Sequence, residues 1–297
     1  MDLSDEIVAK LRASGKVARE ARAYGAELLH EGMTILEGVE KIEDFMRSRG
    51  CPPAFPTCLS VNEIAAHDTP THKDERMLRR GDVVKIDLGA QVDGYLTDTA
   101  KTVEIGTRNW TELIQASEAA LAAATEVVRP KVPTRLIGAA IERTIDSFGY
   151  KPIANLTGHS IERYTVHAGK SVPNVGDHGD DVLEEGDVIA IEPFATNGAG
   201  KVDGRKSGNI YRVIRVRDLR PDSTYRFLKS IHETFDRLPF AERWCYRLDR
   251  KAPAHLARLL RSGLVYTYPA LVDVGGGIVA QAEHSMIVTA DGAEVLT

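Results

Sequence analysis

The alternation of apolar and polar residues along the chain predicts helices and strands in turn. Apolar residues at helical spacing predict an amphipathic helix over residues 3–31, with a break near Gly15. A capping box at Thr34 predicts that a second helix starts there and ends at Gly50. The same criteria predict helices at 111–128 and 134–148, and strands at 59–64, 83–92, 95–103, 270–274 and 278–288. Helices in such alternation with strands indicate a sheet that is covered by helices.

The clearest local signal is residues 81–103, GDVVKIDLGAQVDGYLTDTAKTV. Asp93-Gly94 between two alternating apolar runs predicts a two-residue hairpin, in which facing residues have numbers that sum to 187. Asp87 and Asp98 then lie on one face as diagonal neighbours, roughly 7–8 Å apart at the backbone. Two crowded carboxylates repel unless a cation lies between them, so the hairpin indicates half of a metal site. The alternative is a pair of solvated aspartates.

A second segment resembles the first strand of this hairpin. Residues 186–195, GDVIAIEPFA, match residues 81–90, GDVVKIDLGA, and the match aligns Glu192 with Asp87. Ten residues do not establish a duplication, but they indicate two related halves that each present an acid at the same point of a strand. A cleft between such halves would collect carboxylates from both.

Two other segments carry candidate ligands. His159 and His167 are eight residues apart and would share one side of the chain if the backbone between them is extended. Glu283 lies in the last predicted strand, on the face of Gln281 and Ser285. An acid in a core strand needs a partner, which is either a salt bridge or a metal ion. His67 follows a short strand and by itself indicates only a loop residue.

Composition limits the classes of protein. The chain has 38 Lys and Arg against 43 Asp and Glu, a formal charge of −5, which argues against nucleic acid as the main partner. No apolar run approaches the roughly 18 residues of a membrane span, and the N-terminus is not a signal peptide, so a cytoplasmic protein is expected. Cys51, Cys58 and Cys245 lack CxxC spacing and predict reduced, structural thiols. A cysteine nucleophile has no support.

Residues 209–268 differ from the rest of the chain. Arg and Lys become frequent, and the pattern predicts helices separated by turns. We interpret this segment as a helical insertion subdomain beside the core, with a basic and solvated face. Residues 1–208 and 269–297 then form the remaining, catalytic domain.

The candidates occur in the order Asp87, Asp98, His159, Glu192 and Glu283, and four carboxylates with one imidazole suit a pair of divalent cations. At these positions the chain resembles type II methionine aminopeptidases, which are pita-bread metallopeptidases. The matching segments are KIDLGAQVDGYLTDTAKTV, NLTGHSIERYTVHAG, IEPFATNGAG and AEHSMIV. The resemblance covers nearly the whole chain. The insertion indicates type II, and the absence of a long charged N-terminal extension resembles the archaeal form.

The resemblance implies a fold and an activity. The fold would be α+β, with pseudo-twofold halves, a curved antiparallel sheet covered by helices, and the helical insertion. The activity would be removal of the initiator methionine of nascent polypeptides when the second residue is small, through a hydroxide bound to two divalent metal ions (Co, Mn, Fe or Zn). A monomer is expected, without membrane or specific nucleic-acid partners. A transient ribosome contact through the insertion is an open alternative.

The resemblance also implies residue roles. Asp87 would bind one metal ion, His159 and Glu192 the other, and Asp98 and Glu283 both. Glu192 would also transfer a proton. His67 and His167 would contact the substrate, one of them stabilising the tetrahedral oxyanion and the other lying near the scissile nitrogen. Matches to family residues that bind the substrate are Phe55, Val166, Phe194, Tyr268 and Gln281. Ordinary aromatic core is the alternative for the aromatic members of this set.

Three rival interpretations remain. An X-Pro aminopeptidase or prolidase usually carries a separate domain ahead of its catalytic core, and Asp87 comes too early to leave room for one. A non-catalytic relative that binds RNA or a ribosome would have lost metal ligands, and none is missing here. A protein with only structural ion pairs does not explain five candidate ligands at these spacings.

Overall fold

A computed structural model describes residues 3–216 and 222–297, except for the side chains of residues 205–207. These residues form seven helices and fourteen strands. The helices are α1 (Asp5–Leu28), α2 (Ile35–Ser48), α3 (Thr111–Val127), α4 (Thr134–Ser147), α5 (Ser223–Phe235), α6 (Glu242–Cys245) and α7 (Ala252–Arg261). The strands are β1 (Cys58–Val61), β2 (Ile64–Ala66), β3 (Val83–Val92), β4 (Tyr95–Glu104), β5 (Lys151–Pro152), β6 (Thr157–Ser160), β7 (Ser171–Pro173), β8 (Val188–Ile191), β9 (Phe194–Thr196), β10 (Val202–Val213), β11 (Phe240–Ala241), β12 (Val265–Asp273), β13 (Val279–Val288) and β14 (Ala293–Val295).

The strands form two antiparallel sheets. The larger sheet has ten strands with the central order β1-β3-β4-β13-β8-β6-β7, and β14, β5 and β9 attach beside this path. The smaller sheet has the order β11-β10-β12-β2. Strand β13 therefore lies between the β3–β4 hairpin and β8, which brings three segments that are distant in sequence into one sheet.

Helices cover one face of the large sheet, as predicted. Even-numbered residues of β3, among them Ile86 and Leu88, pack with α1 and α2 in one buried cluster. Even-numbered residues of β13, among them Ala282 and Met286, pack with α3 and α4 in another. Side chains alternate along a strand, so the odd-numbered residues of β3 and β13 point to the opposite face. Asp87 and Glu283 are on that face, so the helices leave it to the candidate ligands.

The hairpin register is confirmed. Asp87 pairs with Ala100, and Gly89 pairs with Asp98, so the numbers of facing residues sum to 187. Both turn residues, Asp93 and Gly94, have positive φ, as a two-residue turn of this kind requires. The second helix also begins as predicted, because the Thr34 hydroxyl accepts a hydrogen bond from the Glu37 backbone N–H at 3.1 Å.

Two local predictions were wrong. Helix α1 continues without a break through Gly15, where a Cβ atom would lie 2.5 Å from the carbonyl oxygen of Leu296. Glycine is present there to admit a neighbouring backbone rather than to end the helix. The strand predicted at 59–64 is instead two strands, β1 and β2, because Asn62 turns the chain with φ of 56°.

The chain between His159 and His167 is also not extended. Strand β6 ends at Ser160, and the chain turns through Tyr164, whose φ is 56°. The Ala168 N–H then donates to the carbonyl oxygen of Ser160 at 2.9 Å. The turn nevertheless returns His167 to His159, and their ring centroids are 4.4 Å apart.

The predicted insertion contains helices, but its ends belong to the small sheet. Residues at both ends of 209–268 lie in β10 and β12, while α5, α6 and α7 lie between them. The helices enclose a buried cluster of their own, which includes Phe227, Leu228, Phe240 and Leu256. Residues 217–221 of the predicted insertion lie outside the described residues. The division into a catalytic domain and an insertion subdomain stays a prediction.

Candidate active site

A cavity lies at the uncovered face of the large sheet. It collects residues from both sheets and from the loops between them. Its lining includes all five candidate ligands and five further residues named from the sequence: Asp87, Asp98, His159, Glu192, Glu283, Phe55, His67, Val166, His167 and Tyr268.

The most compact group in the cavity is Asp98, His159 and Glu283. One ligand atom from each lies within 4.8 Å of the others, which is close enough for all three to hold one cation. The His159 Nε2 atom is 3.6 Å from Asp98 Oδ2 and 3.8 Å from Glu192 Oε1. Strand pairing brings these residues together, since β13 pairs with both β4 and β8 and β6 pairs with β8.

The carboxylates of the cavity repel one another, and Asp98 and Glu283 are buried while Asp87 and Glu192 are half-buried. Burial raises the pKa of Asp87, Glu192 and Glu283 well above the usual range, and the charge of Asp98 raises each further. Burial also raises the pKa of Asp98 itself, although the adjacent His159 opposes this shift. Four such acids are costly to keep ionised in a dry cavity without a compensating cation.

Unpaired atoms are further evidence that the donor set suits a cation. The Oδ1 atom of Asp98 and the Oε1 atom of Glu283 are buried and lack a hydrogen-bond partner among the described residues. Buried polar atoms are normally paired. Carboxylate oxygens with one imidazole nitrogen form the donor set that divalent first-row cations accept. The residues present therefore fit a divalent metal centre.

Gln281 supports the carboxylates from the same strand as Glu283. Its Nε2 atom donates to Glu283 Oε2 at 3.3 Å, and a hydrogen bond from its side chain lowers the pKa of Asp87 against the larger effect of burial. Gln281 is fully buried and does not line the cavity. Gln281 was expected to contact substrate, but in the structure its side chain forms hydrogen bonds with Glu283 and Asp87 instead.

Two further histidines face the ligands across the cavity. Burial, together with a smaller effect of the neighbouring His159, lowers the pKa of His67 to about 4 and that of His167 to about 2. Both rings are therefore neutral near pH 7 and each can donate one hydrogen bond. His67 has φ of 64°, a conformation that turns the chain directly after β2. Tyr268 lies beside both rings, with centroid distances of 5.6 Å to His67 and 6.2 Å to His167.

The structure divides the predicted substrate-binding residues into two groups. Phe55, Val166 and Tyr268 line the cavity. Phe194 does not, since it is fully buried in a cluster with Ala65 and other core residues, and this placement agrees with the alternative of ordinary aromatic core. The roles of all these residues stay predictions.

Four other residues line the cavity that the sequence did not indicate as site residues: Cys58, Ala66, Ile210 and Pro239. Cys58 pairs directly with Asp87 in the β1–β3 register, and burial raises the pKa of its thiol well above the usual range. A protonated thiol is a poor nucleophile and a poor metal ligand. Only the strand pairing reveals this position, because no local motif surrounds Cys58.

Comparison with known proteins gives consistent matches. Residues 9–290 match the model of metallopeptidase family M24. A methionine aminopeptidase of Archaeoglobus fulgidus is 44% identical over 296 residues, which are 99% of this chain and 100% of that protein.

Solved structures with low sequence identity share the fold. A thermophilic Arx1 has a TM-score of 0.86 at 20% identity and matches over 99% of this chain and 91% of that chain. A methionine aminopeptidase from Rickettsia prowazekii has a TM-score of 0.71 at 23% identity, over 99% and 98% of the two chains. Within the described residues, no helix combines the length and apolar composition needed to cross a bilayer.

Proposed function

The chain belongs to metallopeptidase family M24, and from this membership we propose that it removes N-terminal methionine from polypeptides by metal-dependent hydrolysis. The observation that carries the proposal is the convergence of four buried or half-buried carboxylates and one imidazole on a single cavity. The fold is the pita-bread architecture that the resemblance implied, with antiparallel strands in a helix-covered sheet.

We propose that the cavity holds two divalent cations. Asp98 and Glu283 would contact both, Asp87 would complete one ligand set, and His159 with Glu192 would complete the other. When bound, such cations polarise the scissile carbonyl and lower the pKa of water. The unpaired oxygens of Asp98 and Glu283 support the shared role, because each of these carboxylates has a free acceptor in addition to its other contacts. The choice among Co, Mn, Fe and Zn depends on availability more than on this donor set.

The two neutral histidines would act on the substrate. An N–H of His167 would donate to the carbonyl oxygen and stabilise the negative charge that develops there in the transition state. His67 would contact the scissile nitrogen. The Glu192 carboxyl, buried and raised in pKa, would carry a proton toward the leaving amine.

The apolar part of the cavity would hold the methionine side chain. Phe55, Val166 and Tyr268 supply that surface, and Cys58 and Ala66 lie near it in the lining. The metal centre would share this cavity with the first residues of the substrate, which favours a small second residue. We therefore expect substrates that begin Met-Ala, Met-Gly or Met-Ser.

The test is release of free methionine from Met-Ala-Ser, with Met-Lys-Ser and Leu-Pro-Ala as comparisons. The enzyme is first chelated and then assayed with and without added Mn or Co, beside an Asp98→Ala variant. Metal-dependent cleavage of Met-Ala-Ser alone, lost in the variant, would establish the activity. Cleavage of Leu-Pro-Ala would indicate an X-Pro peptidase instead, and no cleavage with any metal would reject the enzymatic proposal.

Three finer points belong to the same proposal. We propose a cytoplasmic monomer, and sedimentation at micromolar concentration would test the monomeric state. We also propose transient contact of the Arg- and Lys-rich insertion with ribosomes, because substrates of this kind emerge there. Failure of the protein to co-sediment with ribosomes at low salt, where electrostatic contacts are strongest, would remove that point.

A further inference from the structure

A second concavity adjoins the catalytic cavity. It lies between the edge of the large sheet and the helical insertion. We call it the downstream groove and define it by Pro52, Pro53, Pro239, Phe235, Trp244 and Arg247. Pro239 lines both the groove and the catalytic cavity, so the two spaces meet at this residue.

One wall of the groove extends the wall of the catalytic cavity. Residues 52–54 run along β3 as an added strand, with the Gln91 N–H donating to the Pro52 carbonyl oxygen at 3.0 Å and the Ala54 N–H donating to that of Gly89 at 2.8 Å. Phe55, directly after this segment, packs on Gly89, where a Cβ atom would lie only 2.4 Å from the ring. Successive residues of one anchored segment therefore face first the groove and then the cavity.

The opposite wall comes from the insertion. Phe235 and Trp244 supply its aromatic surface, with ring centroids 5.8 Å apart. The Trp244 indole N–H donates to the buried Glu43 at 2.8 Å, which fixes this ring against the catalytic domain. Both walls are thus held in place by hydrogen bonds and stacking, and the groove is a preformed feature of the fold.

The groove is largely apolar and carries one exposed cation, Arg247. Its lining includes Arg47 and Arg247 and no acidic side chain among the described residues. Arg47 is committed to Glu43 and Asp44, whereas Arg247 is exposed at the rim and Leu248 is exposed beside it. An apolar groove with one exposed arginine and no acidic side chain in its described lining favours an acidic and apolar ligand.

We propose that the downstream groove binds the substrate polypeptide several residues beyond the cleaved bond and prefers acidic and apolar side chains there. This inference rests on the proposed function. An exopeptidase that encloses the terminal residue must let the rest of the chain leave the cavity, and the groove adjoins the cavity at Pro239. An extended segment advances about 3.3 Å per residue, so a few residues suffice to leave the cavity and enter the groove.

The experiment compares peptides that differ only beyond the third residue. The metal-loaded enzyme is given Met-Ala-Ser, Met-Ala-Ser-Gly-Gly-Gly-Gly, and versions of the heptapeptide with Glu-Leu or Lys-Leu placed at positions 4–5, 5–6 or 6–7. We expect Glu-Leu at one register to raise kcat/KM over the all-glycine peptide by roughly three- to tenfold, the range for one exposed ion pair plus partial burial of one leucine. Lys-Leu at the same register should gain less.

The variants Arg247→Glu and Leu248→Ser test whether the groove causes the preference for Glu-Leu. Arg247→Glu should abolish the Glu-Leu preference or reverse it toward Lys-Leu, and Leu248→Ser should reduce the gain from leucine. Arg261→Glu, the same charge change at an exposed position outside the groove, is the matched control and should keep the preference.

Each outcome separates the two proposals. Cleavage of Met-Ala-Ser with no dependence on residues 4–7 would overturn the groove and leave the proposed function standing. Equal effects of Arg247→Glu and Arg261→Glu would also overturn it, because they would show a general electrostatic effect. Failure to cleave Met-Ala-Ser would count against the proposed function itself.

Discussion

The hydroxyl of Ser285 holds both backbone groups of Asp98. It accepts a hydrogen bond from the Asp98 N–H at 2.7 Å and donates one to the Asp98 carbonyl oxygen at 2.8 Å. Regular pairing of β4 with β13 ends one residue earlier, at His284 and Thr99, so the serine side chain continues the ladder in place of a backbone. The backbone N–H of Ser285 donates instead to the hydroxyl of Thr297 at 3.1 Å. The two hydrogen bonds between Ser285 and Asp98 fix Asp98 relative to Glu283, which lies two residues before the serine.

Replacing Ser285 with alanine should loosen the candidate metal centre. The change leaves a buried N–H and a buried carbonyl of Asp98 without partners, at a cost of about 1–3 kcal/mol each. Loss of a group that orients a ligand typically lowers metal affinity by roughly 10- to 100-fold. Urea unfolding and calorimetric metal titration would measure the two effects. Ser147→Ala, at an exposed helix end, is the control, and equal results for both variants would contradict the prediction.

Replacing His167 with alanine should reduce turnover without removing metal. Loss of one hydrogen-bond donor to a developing oxyanion lowers kcat by about 10²- to 10³-fold. Glutamine at this position retains a donor and should recover part of the rate. The measurements are kcat on Met-Ala-Ser and metal content by elemental analysis, with the exposed His232→Ala as control. A large loss of bound metal in the alanine variant would show that His167 holds the metal centre rather than the substrate.

The buried ion pair of Glu43 and Arg243 should couple the insertion to the catalytic domain. Glu43 accepts from Arg243 of α6, from the Trp244 indole, and from Arg47 at 3.0 Å. Glu43→Gln leaves Arg243 buried without its counter-charge, a change that costs about 3–5 kcal/mol for pairs of this kind. The free energy of unfolding in urea is measured for Glu43→Gln, for Arg243→Met and for the double variant, and the difference from additivity gives the coupling. Strictly additive effects would mean that the two residues act independently.

Lys85 should make stability rise with pH above neutrality. It is fully buried, its Nζ donates to the Asn62 carbonyl oxygen at 2.7 Å, and burial lowers its pKa to about 7 despite Glu63, Asp68 and Asp82 nearby. Its pKa in the unfolded chain is near 10.4, so between about pH 7 and 10 the unfolded chain binds more protons than the native state. Stability therefore rises with pH in this window, by at most about 1.4 kcal/mol per pH unit.

Lys85→Met removes the titrating group and should remove this rise. The free energy of unfolding of both proteins is measured between pH 6.5 and 9, and the difference between them isolates the lysine from other titrating groups. A difference that stays constant across this range would contradict the assignment of a neutral, buried amine. Lys101→Met, at an exposed position of the neighbouring strand, is the matched control.

Local signals in the sequence were sufficient for much of the fold. The Asp93-Gly94 turn set the hairpin register, and with it the common face of Asp87 and Asp98, because a two-residue turn fixes which residues oppose each other. Helical spacing of apolar residues and the cap at Thr34 located the helices, because residues that are neighbours along the chain supply those interactions. The resemblance to a family added the ligand order, which local pattern alone left open.

Tertiary structure decided what depends on segments that are distant in sequence. Strand β13 lies between β4 and β8, so only folding brings Glu283 to Asp98, His159 and Glu192. Gly15 admits the backbone of Leu296 and does not end a helix, and Cys58 enters the cavity because it pairs with Asp87. The downstream groove has no sequence signal, since its two walls come from residues 52–54 and from the insertion. Chain periodicity reports which face a residue occupies, whereas the packing of whole elements determines what that face meets.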